Sequence, residues 1–130
     1  MIQILKSVPF FAELPEADLE AISKKVMMEY FPAGHVLFNE GDSGDKMYII
    51  KTGSVEVIRG SATVATLKEG EFFGEMALVS DLPRTATIKV TGDVELLVLQ
   101  KEEFRHLLES NPSIASKVSY EVVHRVNAND

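Results

Sequence analysis

The residues best suited to chemistry lie within residues 70–90, where a glycine, a carboxylate and a guanidinium follow one another. Gly74 lets the backbone come close to a ligand, and the short helix that it would open presents unpaired N–H groups to an anion. Arg84 carries a planar fork of donors that matches a phosphate or a carboxylate. Glu75 repels an anion, so its carboxylate needs other donors, such as the hydroxyls of a ribose. Together the three groups suit a nucleotide better than a bare phosphate.

The same residue types also allow a simpler interpretation. In a hairpin-like loop, Glu75 and Arg84 would form a surface ion pair, and Gly74 would only permit the turn. Such pairs are common and contribute about 0 to 1 kcal/mol to stability. Residue types alone leave both interpretations open, and the order of the surrounding residues favours the nucleotide.

That order resembles a known family. FGEMALVSDLPRTATI, residues 73–88, is similar to the phosphate-binding cassette of the cyclic nucleotide-binding domain family. The family includes bacterial cyclic AMP regulators, regulatory subunits of cyclic-nucleotide-dependent kinases and cyclic-nucleotide-gated channels. Upstream, residues 32–58 resemble its glycine-punctuated strand pattern, with Gly34, Gly41 and Gly53 in matching places. The resemblance covers almost the whole chain.

The resemblance implies a role for most residues of the cassette. Glu75 would accept a hydrogen bond from the ribose 2′-hydroxyl, and Arg84 would pair with the cyclic phosphate. The backbone amides of Met76 and Ala77 would also hold that phosphate. The hydroxyl of Thr85 is compatible with cyclic AMP or cyclic GMP, and we favour cyclic AMP slightly. The ligand-binding residues expected on this basis are Phe73, Gly74, Glu75, Met76, Ala77, Arg84, Thr85 and Ala86.

Composition narrows the possible functions. The chain has 130 residues, enough for one domain, and 45% of them are apolar. With 13 Lys and Arg against 20 Asp and Glu, the net charge of −7 argues against a nucleic-acid surface. The absence of cysteine excludes disulfides and thiol catalysis. No stretch of the sequence approaches the ~20 consecutive apolar residues that a helix needs to span a bilayer. We therefore expect a cytoplasmic protein without direct membrane insertion.

Two features that resemble metal sites do not meet the requirements for one. The three histidines, His35, His106 and His124, lack metal-ligand spacing. The acidic, glycine-rich residues 40–45 lack the alternating ligands and final glutamate of a calcium loop, so we interpret them as a solvated turn. We expect no metal and no cofactor other than a cyclic nucleotide ligand.

Short apolar runs of period two, separated by glycines, predict a β sandwich or barrel. The resemblance implies a mainly β fold with flanking helices: an eight-stranded jelly-roll-like β-roll, N-terminal helices, a short phosphate-binding-cassette helix and two C-terminal helices. We expect one domain, with a helical segment at residues 1–27, the roll at 28–100, the cassette at 70–90, and hinge and lid helices at 101–128. The predicted strands cover residues 36–38, 47–51, 55–58, 63–67, 85–90 and 94–99.

Helical spacing of apolar residues predicts helices before and after the roll. One covers residues 16–27, a second covers 101–109, and a third follows Pro112. Simple packing against the roll explains these apolar faces. The resemblance adds that the two C-terminal helices form a hinge and a lid over the base. The residues expected to take part are Leu78, Phe104, Leu107, Leu108, Tyr120, Val122, Arg125 and Val126.

These observations favour a non-catalytic receptor that changes the conformation of its C-terminal helices when it binds a cyclic nucleotide. The alternative is a ligand-independent protein-interaction or dimerisation module with a vestigial pocket. An enzyme has least support, because the sequence offers no catalytic residues, neither a metal cluster nor a nucleophile with a base. Only four residues follow Val126, so we expect a protein partner or an effector domain outside this chain, and a homodimer stays possible.

Overall fold

The computed structural model describes residues 2–6, 11–12, 14–74, 77, 83–110 and 112. Within these ranges, an antiparallel β structure is flanked by helices on both sides in the sequence. The elements are α1 (Ile2–Leu5), α2 (Glu16–Ser23), β1 (Met27–Phe31), β2 (Val36–Phe38), β3 (Lys46–Arg59), β4 (Ala62–Lys68), β5 (Phe72–Phe73), β6 (Thr87–Gln100) and α3 (Lys101–Ser110).

Two long strands form the frame of the roll. β3 and β6 each have 14 residues and pair with one another from Lys46 opposite Gln100 to Ile58 opposite Thr87. β1 and β2 pair with β6, while β4 and β5 pair with β3. The register between β3 and β6 shifts between Ile50 and Val55, so each long strand acts as two arms. Counted by arms, the six strands of the described residues give the eight expected of the β-roll.

Alternation along these strands builds two hydrophobic clusters. Successive side chains of a strand point to opposite faces, so one strand can serve two cores. The outer cluster includes the helices and one face of the long strands: Leu5, Phe11, Leu14, Leu19, Ile22, Met47, Ile49, Leu97, Leu99, Phe104 and Leu107. The inner cluster fills the roll: Tyr48, Ile50, Val55, Phe73, Ile88, Val90, Val94, Leu96 and Val98.

The mainly β fold with flanking helices is confirmed, but β1 was not predicted, and β3 and β6 each join two of the predicted strands. The helix predicted over residues 16–27 ends at Ser23, and Met27 instead begins β1, where it pairs with Val98. The helical spacing extended to Val26 because that side chain packs against the outer cluster even though it lies beyond the helix. β5 was not predicted, and β6 begins at Thr87 rather than at residue 85. The second C-terminal helix and most of the cassette helix lie outside the described residues.

Candidate functional site

The backbone of Arg84 is held by the loop that precedes β3, residues 39–45. The N–H of Arg84 donates to the carbonyl of Asp42 at 2.7 Å, and its carbonyl accepts from the N–H of Gly41 at 2.8 Å. Within the loop, the Asp42 carboxylate accepts from the N–H of Asn39 at 2.9 Å. Residues 40–45, which we predicted as a solvated turn, are largely exposed. The 39–45 loop also fixes the backbone of Arg84 through Gly41 and Asp42.

The guanidinium of Arg84 is half-buried and has defined neighbours. Nη2 donates to the carbonyl of Lys46 at 2.9 Å, and Nη1 donates to the carbonyl of Gly74 at 3.4 Å. Cζ lies 4.0 Å from the centroid of the Phe38 ring. The cation is therefore oriented by two carbonyl dipoles and an aromatic face.

Two glycines leave the space that the Arg84 side chain occupies. A Cβ on Gly44 would overlap Nε and Cζ of Arg84. A Cβ on Gly74 would lie 2.8 Å from Nη1 of Arg84 and 3.0 Å from the Lys46 carbonyl oxygen. Gly74 also has a φ of +76°, which side chains of L-residues rarely adopt. We predicted that Gly74 would let a ligand come close to the backbone. In the structure, the Arg84 guanidinium lies close to the backbone at Gly74.

The Phe38 ring under the guanidinium belongs to a group of three aromatic rings. Tyr48 and Phe73 are register partners and stack with centroids 5.0 Å apart. Phe38 is tilted against both, with 6.1 Å between centroids in each pair. Burial raises the pKa of the Tyr48 hydroxyl, and the nearby positive charge of Arg84 opposes that rise. Tyr48 is therefore neutral at physiological pH and adds no negative charge near Arg84.

The structure places several of the predicted ligand-binding residues together and leaves two undescribed. Phe73 and Gly74 lie beside Arg84, and the Gly74 carbonyl accepts from both Arg84 and the N–H of Ala77, the latter at 3.1 Å. Ala77 is buried. Thr85 is exposed and Ala86 is buried, directly after Arg84 in the chain. Glu75 and Met76 lie outside the described residues.

The predicted hinge residues belong to another part of the molecule. Phe104 and Leu107 are buried in the outer cluster, and Leu108 packs against it. The ring of Phe104 lies 6.2 Å from that of Phe11, measured between centroids. The 39–45 loop reaches the start of this region, because the Asp45 carbonyl accepts from the N–H of Lys101, the first residue of α3, at 2.7 Å. The other candidates, Leu78, Tyr120, Val122, Arg125 and Val126, lie outside the described residues.

Sequence reasoning missed three contributors to the environment of Arg84. Phe38 supplies the aromatic face, Gly44 the space, and Lys46 the carbonyl that accepts from Nη2. Gly44 had a signal in its acidic, glycine-rich stretch, although we interpreted that stretch only as a solvated turn. Phe38 and the Lys46 carbonyl had none, because their contacts depend on the register of distant strands.

The described residues contain neither a group of metal ligands nor a helix that could span a membrane. Within those ranges, no three His, Asp or Glu residues are grouped closely enough to hold a metal ion. No helix of the described ranges is both long and apolar enough to cross a membrane.

Comparison with known proteins places this geometry in context. The sequence model of the family described as the cyclic nucleotide-binding domain matches residues 28–111 of this chain. A cAMP-dependent protein kinase regulatory subunit of Eremothecium gossypii is 39% identical over 105 residues, which is 80% of this chain and 23% of that subunit. The chain thus spans about a quarter of the length of that relative.

Two solved structures share the fold. The N-terminal domain of a transcriptional regulator from Streptomyces coelicolor has a TM-score of 0.88 and 28% identity, covering 97% of this chain and 92% of that one. The regulatory domain of Toxoplasma gondii PKA, crystallised with cAMP, has a TM-score of 0.78 and 27% identity, covering 82% of this chain and 42% of that one. The chain therefore belongs to the cyclic nucleotide-binding domain family.

Proposed function

We propose that this chain is a regulatory domain that binds a cyclic nucleotide through its phosphate, and that Arg84 is the principal ligand of that phosphate. The observation that carries the proposal is the fixed guanidinium, which is held by Lys46, Gly74 and the ring of Phe38 within the residues that match the family's domain. A cation whose orientation is fixed by the protein loses little conformational entropy when it binds an anion. The net charge of −7 means that the anion must be captured by such local groups.

Within the proposal, Glu75 accepts from the ribose 2′-hydroxyl, and the amides of Met76 and Ala77 add donors to the phosphate. Gly74, which directly precedes Glu75 in the chain, lies beside the Arg84 guanidinium. Cyclic AMP is our preferred ligand, because the kinase relative and the Toxoplasma structure are both described by that nucleotide. Thr85 is exposed beside Arg84, a position from which its hydroxyl can also serve cyclic GMP.

We further propose that binding changes the arrangement of α3 and of the chain beyond it. The 39–45 loop supports such coupling, since it bonds to Arg84 through Gly41 and Asp42 and to Lys101 of α3 through Asp45. A displacement of Arg84 would therefore be transmitted to α3 through the 39–45 loop. Couplings of about 1 to 3 kcal/mol are typical of such switches. The domain acts without catalysis in this proposal, and its output lies in a partner or in another domain.

Titration calorimetry of nucleotide-stripped protein with cyclic AMP, cyclic GMP and 5′-AMP tests the ligand. We expect micromolar or tighter binding of a cyclic nucleotide, with cyclic AMP ahead of cyclic GMP and little heat from the linear nucleotide. No binding to folded, ligand-free protein would favour the alternative, an interaction module with a vestigial pocket.

Arg84→Ala tests the site. Charge-assisted hydrogen bonds contribute on the order of 1.5 to 3 kcal/mol, so the affinity should fall at least ~tenfold. Arg59→Ala is the matched control, because it removes the same charge from an exposed position at the end of β3 and should leave the affinity nearly unchanged. Equal affinities in the two variants would remove Arg84 from the proposed site.

A further inference from the structure

Phe38 was not among the ligand-binding residues expected from the sequence. In the structure its ring lies against Arg84, the cation that we propose binds the phosphate. Phe38 ends β2, a three-residue strand that pairs with β6. Its ring centroid lies 4.0 Å from Cζ of Arg84, well inside the ~6 Å range of cation–π attraction. The residue is only partly buried and packs at the border of the inner cluster.

The ring itself is fixed by its neighbours. Tyr48 and Phe73 are both nearly fully buried, and each lies 6.1 Å from Phe38 between centroids, tilted by 36° and 50°. Tilted rings at this separation are a favourable aromatic arrangement. The three rings thus connect the guanidinium to the interior of the roll, and Phe38 is the member that touches the charge.

We propose that Phe38 is a positioning residue: its aromatic face fixes the plane of the Arg84 guanidinium, so that affinity for the cyclic phosphate depends on an aromatic ring at position 38. This inference rests on the proposed function for the identity of the anion. Carbonyl bonds to Lys46 and Gly74 fix two edges of the guanidinium, and the ring fixes its face. A leucine of similar size would fill the space without the electrostatic attraction of the π-face.

The discriminating experiment compares Phe38→Leu with Phe38→Tyr, which keeps the aromatic face. For Phe38→Leu we expect cyclic AMP affinity to fall about three- to tenfold, the effect of losing a partly desolvated cation–π contact. Phe38→Tyr should bind like the wild type. Phe31→Leu is the matched control, since Phe31 borders the same inner cluster but stacks on His35, with 4.6 Å between centroids. An equal loss in Phe31→Leu and Phe38→Leu would reduce Phe38 to a packing residue and overturn the proposal.

A second readout needs no ligand. Protons over an aromatic face are shielded, so the side-chain N–H signals of Arg84 in nitrogen-15 NMR, assigned with Arg84→Lys, should lie upfield in the wild type and in Phe38→Tyr. They should move downfield in Phe38→Leu and stay in place in Phe31→Leu. Unmoved signals in Phe38→Leu would overturn the positioning role. If the wild type binds no cyclic nucleotide, the proposed function fails, while these signals still decide whether Phe38 positions Arg84.

Should Phe38→Leu fail to fold, pentafluorophenylalanine at position 38 replaces it. Fluorination keeps the ring shape and removes the negative π-face, so affinity should again fall about three- to tenfold. Wild-type affinity with the fluorinated ring would contradict the proposal.

Discussion

The inner and outer clusters share β3 and β6, but the outer cluster attaches helices to the roll and the inner cluster supports the surroundings of Arg84. The buried members of the outer cluster are all aliphatic, methionine or phenylalanine, and they attach α1, α2 and α3 to the roll. The inner cluster contains a phenol, Tyr48, and at its border the ring of Phe38 lies under the charge of Arg84. Alternation along β3 assigns Met47 to one cluster and Tyr48 to the other. One strand can therefore support a charged site through one face and anchor helices through the other.

The outer cluster should respond most strongly to truncation. Phe104 is fully buried and contacts Phe11, so Phe104→Ala should lower the free energy of unfolding by about 3 to 5 kcal/mol, through lost burial and a cavity. Urea unfolding measures the change. Phe104→Leu keeps most of the volume and should cost clearly less. A loss under about 1 kcal/mol in Phe104→Ala would show that α3 contributes little to the fold.

Gly74→Ala should lower both the free energy of unfolding and the affinity for cyclic AMP. The added Cβ meets Nη1 of Arg84 and the Lys46 carbonyl, and the positive φ costs about 1 to 2 kcal/mol. We expect that loss in urea unfolding and at least ~tenfold weaker cyclic AMP binding. Gly70→Ala is the control, because Gly70 has a φ of +86° with nothing within 4 Å of the added Cβ. If both variants weaken binding equally, the contact with Arg84 is irrelevant.

Gly44→Ala should separate binding from stability. Its backbone is not in the left-handed region, so alanine brings no φ strain, yet the Cβ would overlap the Arg84 guanidinium and displace it. We expect cyclic AMP affinity to fall by roughly three- to tenfold while the unfolding free energy changes by under ~1 kcal/mol. Ser43→Ala, exposed in the same loop, should change neither. Unaltered calorimetric affinity in Gly44→Ala would mean that Arg84 does not need its observed position.

Tyr48 should give the inner cluster an alkaline limit that the outer cluster lacks. Because burial raises the pKa of Tyr48 above 10, its contribution to stability is fully present below pH 10 and is lost as the pH rises through the folded-state pKa. Urea midpoints between pH 8 and 11 should therefore fall less steeply above pH 10 for Tyr48→Phe than for the wild type. Parallel curves would show that Tyr48 ionises equally in both states.

The smallest effect is expected at the surface of the outer cluster. Lys25 and Glu103 form an ion pair of 3.4 Å between Nζ and Oε2, and both side chains are more than a third exposed. Glu103→Gln should lower the unfolding free energy by no more than about 0.5 kcal/mol, and less at high salt. A loss above 1 kcal/mol in urea unfolding would make this pair a real link between α2 and α3.

Residue types and the order of residues 73–88 were enough to suggest Gly74 and Arg84 as parts of a phosphate site, but not to identify the groups that hold Arg84. Gly74 and Arg84 stand out because each type has a chemical reason to be near a phosphate. Phe38 could not be predicted, since its contact with Arg84 depends on β2 meeting β6 through an irregular register. The end of α2 was misplaced for a related reason: pairing of Met27 with Val98 overrode a helical pattern that ran on to Val26. The family and fold were accessible from sequence, and long-range contacts were not.

The most direct test of the account is a crystal structure of the protein with cyclic AMP. The account predicts the cyclic phosphate within hydrogen-bonding distance of the Arg84 guanidinium, with that guanidinium still over the ring of Phe38 and the Arg84 backbone still held by the 39–45 loop. A nucleotide whose phosphate is bound elsewhere, with Arg84 remaining only on the carbonyls of Lys46 and Gly74, would contradict it.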